Sequence, residues 1–139
     1  MYPVSKTAPA VDIADESYVR VIPGVLAPVV ADPRSWRLWW PDLQLVVTRD
    51  RGEKGQQWAV AGALRGSMEV WLEAVGGGTV VHWYLRADPP SPLSGTRAGR
   101  LRRVRERRVL GWKAHMFGLK DRLETRADLK DPSGPAESI

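Results

Sequence analysis

Arg108 and His115 are the residues whose types and spacing best suit chemistry, because two helical turns separate them. A histidine titrates near neutral pH and suits general acid–base catalysis, for example of an aldol or dehydration step. A neighbouring guanidinium would hold a carboxylate, phosphate or enolate oxygen. The alternatives are an arginine whose stem packs while its head reaches water, and a histidine packed with one hydrogen bond. Beyond these two weak candidates, we assign no catalytic residue.

Seven tryptophans stand against one phenylalanine and three tyrosines in 139 residues. Trp58, Trp83 and Trp112 fall on positions predicted to face inward, where they would either fill the core or form the wall of a ligand pocket. Trp39 and Trp40 would rim the entrance or cap the core. We therefore predict a ligand site formed by inward-facing residues, namely Trp39, Trp40, Trp58, Met68, Val70, Leu72, Trp83, Leu85, Arg108, Trp112, His115 and Met116.

Several kinds of site are not expected. The chain has no cysteine and two histidines on different predicted elements, which argues against a zinc site, a disulfide or a cysteine nucleophile. The glycines at 76–78 precede a predicted strand, so they indicate a hairpin turn and not a phosphate-binding loop. No serine lies in a nucleophile elbow. We predict no metal and no cofactor.

The net charge of +5 is concentrated near the C-terminus. The segment 97–122 has ten basic and two acidic residues, a balance of +8, which leaves −3 for the rest of the chain. Seven arginines at 97–108 would bind nucleic acid or an anionic membrane through phosphates, but wrapped on a helix they define no flat basic face. A solvated face, paired with Glu69, Glu73 or the tails, is the favoured interpretation, so nucleic acid is not an expected partner.

The elements that would position these residues follow from periodicity. Alternation predicts a first strand at 16–21 and further strands at 43–49, 56–64, 68–75 and 79–87, joined as antiparallel hairpins. One register makes the inner face wholly apolar and places His82 outside, with the charged residues. On that inner face we place Trp58, Val60, Gly62, Leu64, Met68, Val70, Leu72, Ala74, Val81, Trp83, Leu85 and Ala87.

Helices complete the predicted domain. Pro23 begins one helix, which Asp32-Pro33 ends, Pro28 should kink or shorten it, and a second helix runs over 34–40. A long helix at about 98–124 has an inner stripe, formed by Leu101, Val104, Arg108, Trp112, His115, Met116, Leu119 and Leu123. We expect an N-terminal tail at 1–10, one domain at 11–125 and a polar C-terminal tail at 126–139. No window has the length of a membrane span, and the absence of cysteine fits a reducing cytoplasm.

The segment VRVIPGVLAPVVADPRSWRLWWPD resembles the START-like, Bet v 1-like (SRPBCC) superfamily, and GSMEVWLEAV, TVVHWYLRADP and HMFGLKDRLE resemble its bacterial polyketide cyclase/dehydrase-like members. The likeness covers about 14–124. It implies an α+β helix-grip fold, in which an antiparallel sheet of about five or more strands surrounds a long C-terminal helix. Fuller members have seven strands, which predicts a small or partly collapsed cavity here.

Three functions follow from the resemblance. The first is binding of a small hydrophobic or aromatic molecule, lipid or polyketide-like, between sheet and helix. The second is a cyclase/dehydrase-type enzyme that uses the same cavity, although the chain lacks a recognisable catalytic dyad. The third is an interaction module that acts through the arginine-rich helix. Ligand identity and oligomeric state are left open by the sequence.

Overall fold

A five-stranded antiparallel sheet and one long helix dominate the structure, a computed structural model that describes residues 8–90 and 97–130. The strand order is β1-β5-β4-β3-β2, which leaves β1 and β2 at the edges. The elements are β1 (Val11–Val19), α1 (Pro23–Val30), α2 (Pro33–Trp39), β2 (Leu43–Asp50), a 3-10 turn (Gly52–Lys54), β3 (Gly55–Gly62), β4 (Arg65–Val75), β5 (Gly78–Asp88) and α3 (Arg97–Lys130).

The predicted hairpins and their register are confirmed. Trp58 pairs with Met68, and Met68 pairs with Leu85, so apolar side chains of β3, β4 and β5 share the face that α3 covers. Ala74 and Gly62, which we expected inside, are exposed because they lie at strand ends beyond the helix. The first strand begins at Val11 and not at Glu16, since exposed Asp12 and Ala14 alternate with buried Val11 and Ile13 along the sheet edge.

The Asp32-Pro33 pair both ends α1 and begins α2. The Asp32 side chain accepts a hydrogen bond from the Arg34 N–H at 2.9 Å, which caps α2, and Pro33 occupies its first turn. Pro23 begins α1 in the same way, and α1 continues through Pro28 to Val30. These two short helices lead the chain from β1 to the opposite sheet edge.

Helix α3 extends six residues further than predicted. Residues 126–130, which we expected in a tail, are helical, and Ala127 packs against the core. The expected segments 1–7 and 131–139 lie outside the described residues. Within the described chain, no helix combines the length and apolar character that crossing a membrane requires.

Edge strand β1 is tied to α3 by polar side chains. Lys113 and Lys120 donate hydrogen bonds to the carbonyls of Glu16 and Tyr18 at 3.0 and 2.8 Å. The nearly buried Glu124 carboxylate accepts hydrogen bonds from the Arg20 N–H at 2.8 Å and the Lys120 ammonium at 3.1 Å. Burial alone would raise the pKa of Glu124, but these donors outweigh burial and lower the pKa from its ordinary value of 4.5.

Candidate functional site

Six tryptophans from four elements form one connected aromatic group at the centre of the fold. Trp83 of β5 and Trp112 of α3 stack with ring centroids 4.9 Å apart, and Trp40 lies parallel to Trp112 at 5.7 Å. Trp40 also meets Trp58 of β3 edge-on at 5.8 Å. This tryptophan cluster consists of Trp36, Trp39, Trp40, Trp58, Trp83 and Trp112.

The centre of the cluster is a filled core. Trp58, Trp83 and Trp112 are at most 2% exposed. Five more of the predicted ligand-binding residues are likewise core residues, each at most 3% exposed, namely Met68, Val70, Leu72, Leu85 and Met116. These rings pack closely in the space between the sheet and α3.

Only some of the indole N–H groups inside the tryptophan cluster have a hydrogen-bond partner among the described residues. The indole N–H of Trp36 donates to the Val30 carbonyl at 2.6 Å. The buried indole N–H groups of Trp58, Trp83 and Trp112 have no acceptor among the described residues. An unsatisfied buried donor costs about 1–3 kcal/mol, so three in one cluster are a feature that requires an explanation.

A groove of about 290 Å³ opens where the end of α2 faces α3, and we call it the α2–α3 groove. Its walls include Trp39, Trp40 and Trp112 of the cluster, together with Leu64 from the β3–β4 turn. The groove therefore reaches the cluster from outside, at the place where Trp39 and Trp40 were expected to rim an entrance.

Arg108 lies in this groove and is held by an acid that the sequence did not single out. Its two terminal nitrogens donate to the two Asp42 carboxylate oxygens at 2.8 and 2.6 Å. The Arg108 side chain is 15% exposed and that of Asp42 is 52% exposed. The guanidinium is therefore directed at the groove, and its charge is balanced from the more solvated side.

His115 lies apart from Arg108 and the α2–α3 groove. It lies seven residues after Arg108, which is about 10 Å along the helix axis. His115 is half-buried, has no hydrogen-bond partner among the described residues, and does not line the α2–α3 groove. The structure thus places the two catalytic candidates on one helix without bringing them together.

The outer face of the sheet is more structured than predicted. His82 does point outward, but its side chain is only 12% exposed, because its ring stacks on Trp71 at 4.3 Å and contacts Glu73 at 2.9 Å. A broad groove of about 590 Å³ runs past Trp71 and Tyr84. The alternation of aromatic residues at outward positions was the signal available in the sequence.

The expected pairing of the arginine run with Glu69 and Glu73 is wrong. Glu69 accepts a hydrogen bond from Arg51 at 3.1 Å, and Glu73 lies beside His82, so each acid already has a basic partner nearby. In the part of the chain that the structure describes, the arginines of 97–107 form no salt bridge. Over the same residues, no group of three or more His, Asp or Glu lies together as metal ligands do.

Comparison with known proteins identifies the fold. No protein-family model matches the sequence, and no curated protein matches it either. The solution structure of the Aha1 dimer from Colwellia psychrerythraea is similar over 80% of this chain and 94% of its own, with a TM-score of 0.56 and 15% identity. A crystal structure from Thermus thermophilus covers 83% of this chain and 98% of its own, with a TM-score of 0.53 and 16% identity.

A third structure, from Deinococcus radiodurans, covers 76% of this chain and 95% of its own, with a TM-score of 0.51 and 17% identity. At these identities the likeness concerns the fold. The sheet order, the two short helices after β1 and the long terminal helix agree with it. The chain therefore has the helix-grip fold.

Proposed function

We propose that this protein binds a small, largely aromatic molecule with an acidic or carbonyl group in the α2–α3 groove. The observation that carries the proposal is the groove itself, in which Trp39, Trp40 and Trp112 lie beside the Arg108 guanidinium. The buried indole N–H of Trp112 has no acceptor among the described residues, and a ligand acceptor would reach it only when the side chains around it move apart.

The chemistry of the groove selects the kind of ligand. Indole rings at the end of α2 and on α3 border the groove, and a planar ligand ring would contact the small parts of them that the groove exposes. Arg108 supplies a fixed fork of donors that suits a carboxylate, and the acid of a ligand would take the place of Asp42 on it. The ligand would therefore carry its ring toward the tryptophans and its acid toward Arg108.

The volume of the α2–α3 groove limits the size of the ligand. Small-molecule sites generally span about 300–1,000 Å³. At about 290 Å³, the groove suits a molecule of one or two rings better than a long acyl chain. Among the lipid and polyketide-like ligands that the sequence resemblance implies, the short aromatic ones fit best.

The cyclase/dehydrase alternative receives no support from the groove, since His115 is not among its lining residues. Binding without turnover is the function that the described geometry supports best. The cysteine-free composition agrees with a cytoplasmic location, which remains part of the proposal.

Nuclear magnetic resonance of the indole N–H groups tests the proposal directly. Titration with naphthoate, a two-ring aromatic acid, should shift the Trp112 indole signal, which a Trp112→Phe variant would identify. The Trp36 indole, already bonded to Val30, and the Trp71 indole on the outer face serve as internal controls.

Two results would contradict the proposal. One is saturating binding of naphthoate that shifts the Trp71 signal and leaves that of Trp112 unchanged. The other is the absence of any shift up to millimolar naphthoate. Native mass spectrometry of the purified protein would show in addition whether a small molecule is carried along from the cell.

A further inference from the structure

Helix α3 exposes large apolar side chains on the side that faces away from the sheet. Leu110 is 70% exposed and Phe117 is 76% exposed. At about 100° per residue, both lie within about 60° of Ala114, whereas buried Trp112 and Leu123 lie on the opposite side of the helix. An outward apolar pair on an otherwise charged helix indicates a surface that is covered by a partner.

Charges continue this surface in both directions along the helix. We define the outer stripe as the exposed residues within about 60° of Ala114, namely Arg100, Arg103, Arg107, Leu110, Gly111, Ala114, Phe117, Asp121, Thr125, Asp128 and Leu129. Its N-terminal part is basic and its C-terminal part is acidic. One end of the stripe is thus complementary to the other end.

The complementarity is symmetric about Ala114. Arg107 lies seven residues before it and Asp121 seven residues after it, and Arg100 and Asp128 lie fourteen residues before and after it. Residues equally far from a two-fold axis at Ala114 come to the same level when two copies of the helix pair in antiparallel orientation. Arg107 would then meet Asp121 of the second copy, and Arg103 would meet the uncharged Thr125. Arg100 would meet Asp128, which also lies 4.0 Å from Arg20 of its own chain.

The apolar part obeys the same symmetry. At about 100° per residue, Leu110 and Phe117 lie on the same flank of the stripe, so Phe117 of the second copy comes to within about one residue's rise of Leu110. A parallel pair would instead place Arg107 against Arg107, which electrostatics disfavours.

From this self-complementary stripe we infer that the protein forms an antiparallel homodimer through the outer surface of α3. The occupant of the surface is a second copy of the chain. Arg107 and Gly111 also line the α2–α3 groove, so the interface adjoins the proposed ligand site, but the inference does not require a ligand to bind there. Two large apolar residues per copy suit a dimer that forms at micromolar to millimolar concentration and not an obligate one.

Sedimentation velocity over a concentration series tests the dimer. The full chain should shift from monomer to dimer, and Phe117→Glu should weaken dimerisation by about tenfold or more, because it buries charge at the interface. Val46→Glu is the matched control, since Val46 is 67% exposed on the opposite part of the molecule, on β2. A protein that stays monomeric at millimolar concentration would overturn the inference.

Charge exchange tests the antiparallel arrangement. Arg107→Glu and Asp121→Arg should each dimerise poorly alone, because each homodimer then has two like-charge pairs. An equimolar mixture of the two variants should form a heterodimer with two restored pairs. A mixture that associates no better than the separate variants would overturn the arrangement. An Arg107→Glu variant that keeps full dimerisation but loses binding to duplex DNA would overturn it as well, because Arg107 would then contact phosphates and not a second copy.

Discussion

Replacing Asp42 with asparagine should strengthen binding of an aromatic acid in the α2–α3 groove. The wild-type carboxylate occupies both terminal nitrogens of Arg108, at 2.8 and 2.6 Å, so a ligand acid must displace it. Asparagine keeps the size of the side chain and removes the competing charge. The guanidinium is then available to the ligand.

The magnitude follows from the exposure of the pair. A hydrogen bond to a charged group contributes about 1.5–3 kcal/mol when buried, and an exposed ion pair about 0–1 kcal/mol. Because Asp42 is 52% exposed and Arg108 only 15%, we expect about 1–1.5 kcal/mol, which corresponds to about five- to tenfold tighter binding.

Isothermal titration calorimetry with naphthoate and with neutral naphthamide would measure the effect. Asp42→Asn should tighten binding of naphthoate and leave binding of naphthamide almost unchanged, whereas Arg108→Gln should weaken binding of naphthoate alone. Asp12→Asn is the matched control, because Asp12 is equally exposed and faces Arg86 on the outer side of the sheet. Equal effects on both ligands, or a weaker naphthoate complex for Asp42→Asn, would refute the role given to Arg108.

Three further predictions concern the stability of the scaffold. Since folding lowers the pKa of Glu124, its carboxylate stabilises the fold above pH 4.5 and loses that contribution as pH falls below this value. Glu124→Gln should lower the free energy of unfolding by about 1–3 kcal/mol at neutral pH. In urea denaturation at a series of pH values, the variant's free energy of unfolding should depend less on pH in the acid range. Gly55→Ala should cost about 2–4 kcal/mol, because Gly55 has φ +106° and a methyl group would overlap the Val70 carbonyl oxygen, while Gly77→Ala, with open space around it, should stay within about 0.5 kcal/mol in thermal unfolding. Leu26→Ala, at a fully buried side chain of α1, should cost about 2–5 kcal/mol, and a change below 1 kcal/mol in the same assay would contradict the burial of this face of α1.

Local patterns predicted the sheet well because alternation and hairpin turns act between neighbours in sequence. The pairing of Met68 with Trp58 and Leu85 followed from one consistent apolar face. The end of α3 was predicted too early, since three of residues 126–130 are charged and the packing of Ala127 onto the core is a tertiary contact.

The candidate site was only partly predictable. Periodicity placed Arg108 on the inner stripe, but its partner Asp42 is 66 residues away in sequence, and no local pattern relates the two. The same limit applies to His82, whose outward position followed from alternation while its burial depends on Trp71 of the neighbouring strand. Counting charges likewise could not show that Arg51 already forms an ion pair with Glu69.

The contact between α3 and β1 has a consequence for colloidal behaviour. An edge strand offers free backbone carbonyls to which the strand of another molecule can add, the first step of aggregation. On β1, Lys113 and Lys120 occupy the carbonyls of Glu16 and Tyr18, and an incoming strand would have to displace both ammonium groups. The other edge, β2, has a register irregularity between Val47 and Arg49 that interrupts a regular row of donors and acceptors. Both edges of the sheet are therefore poor templates for intermolecular strand addition.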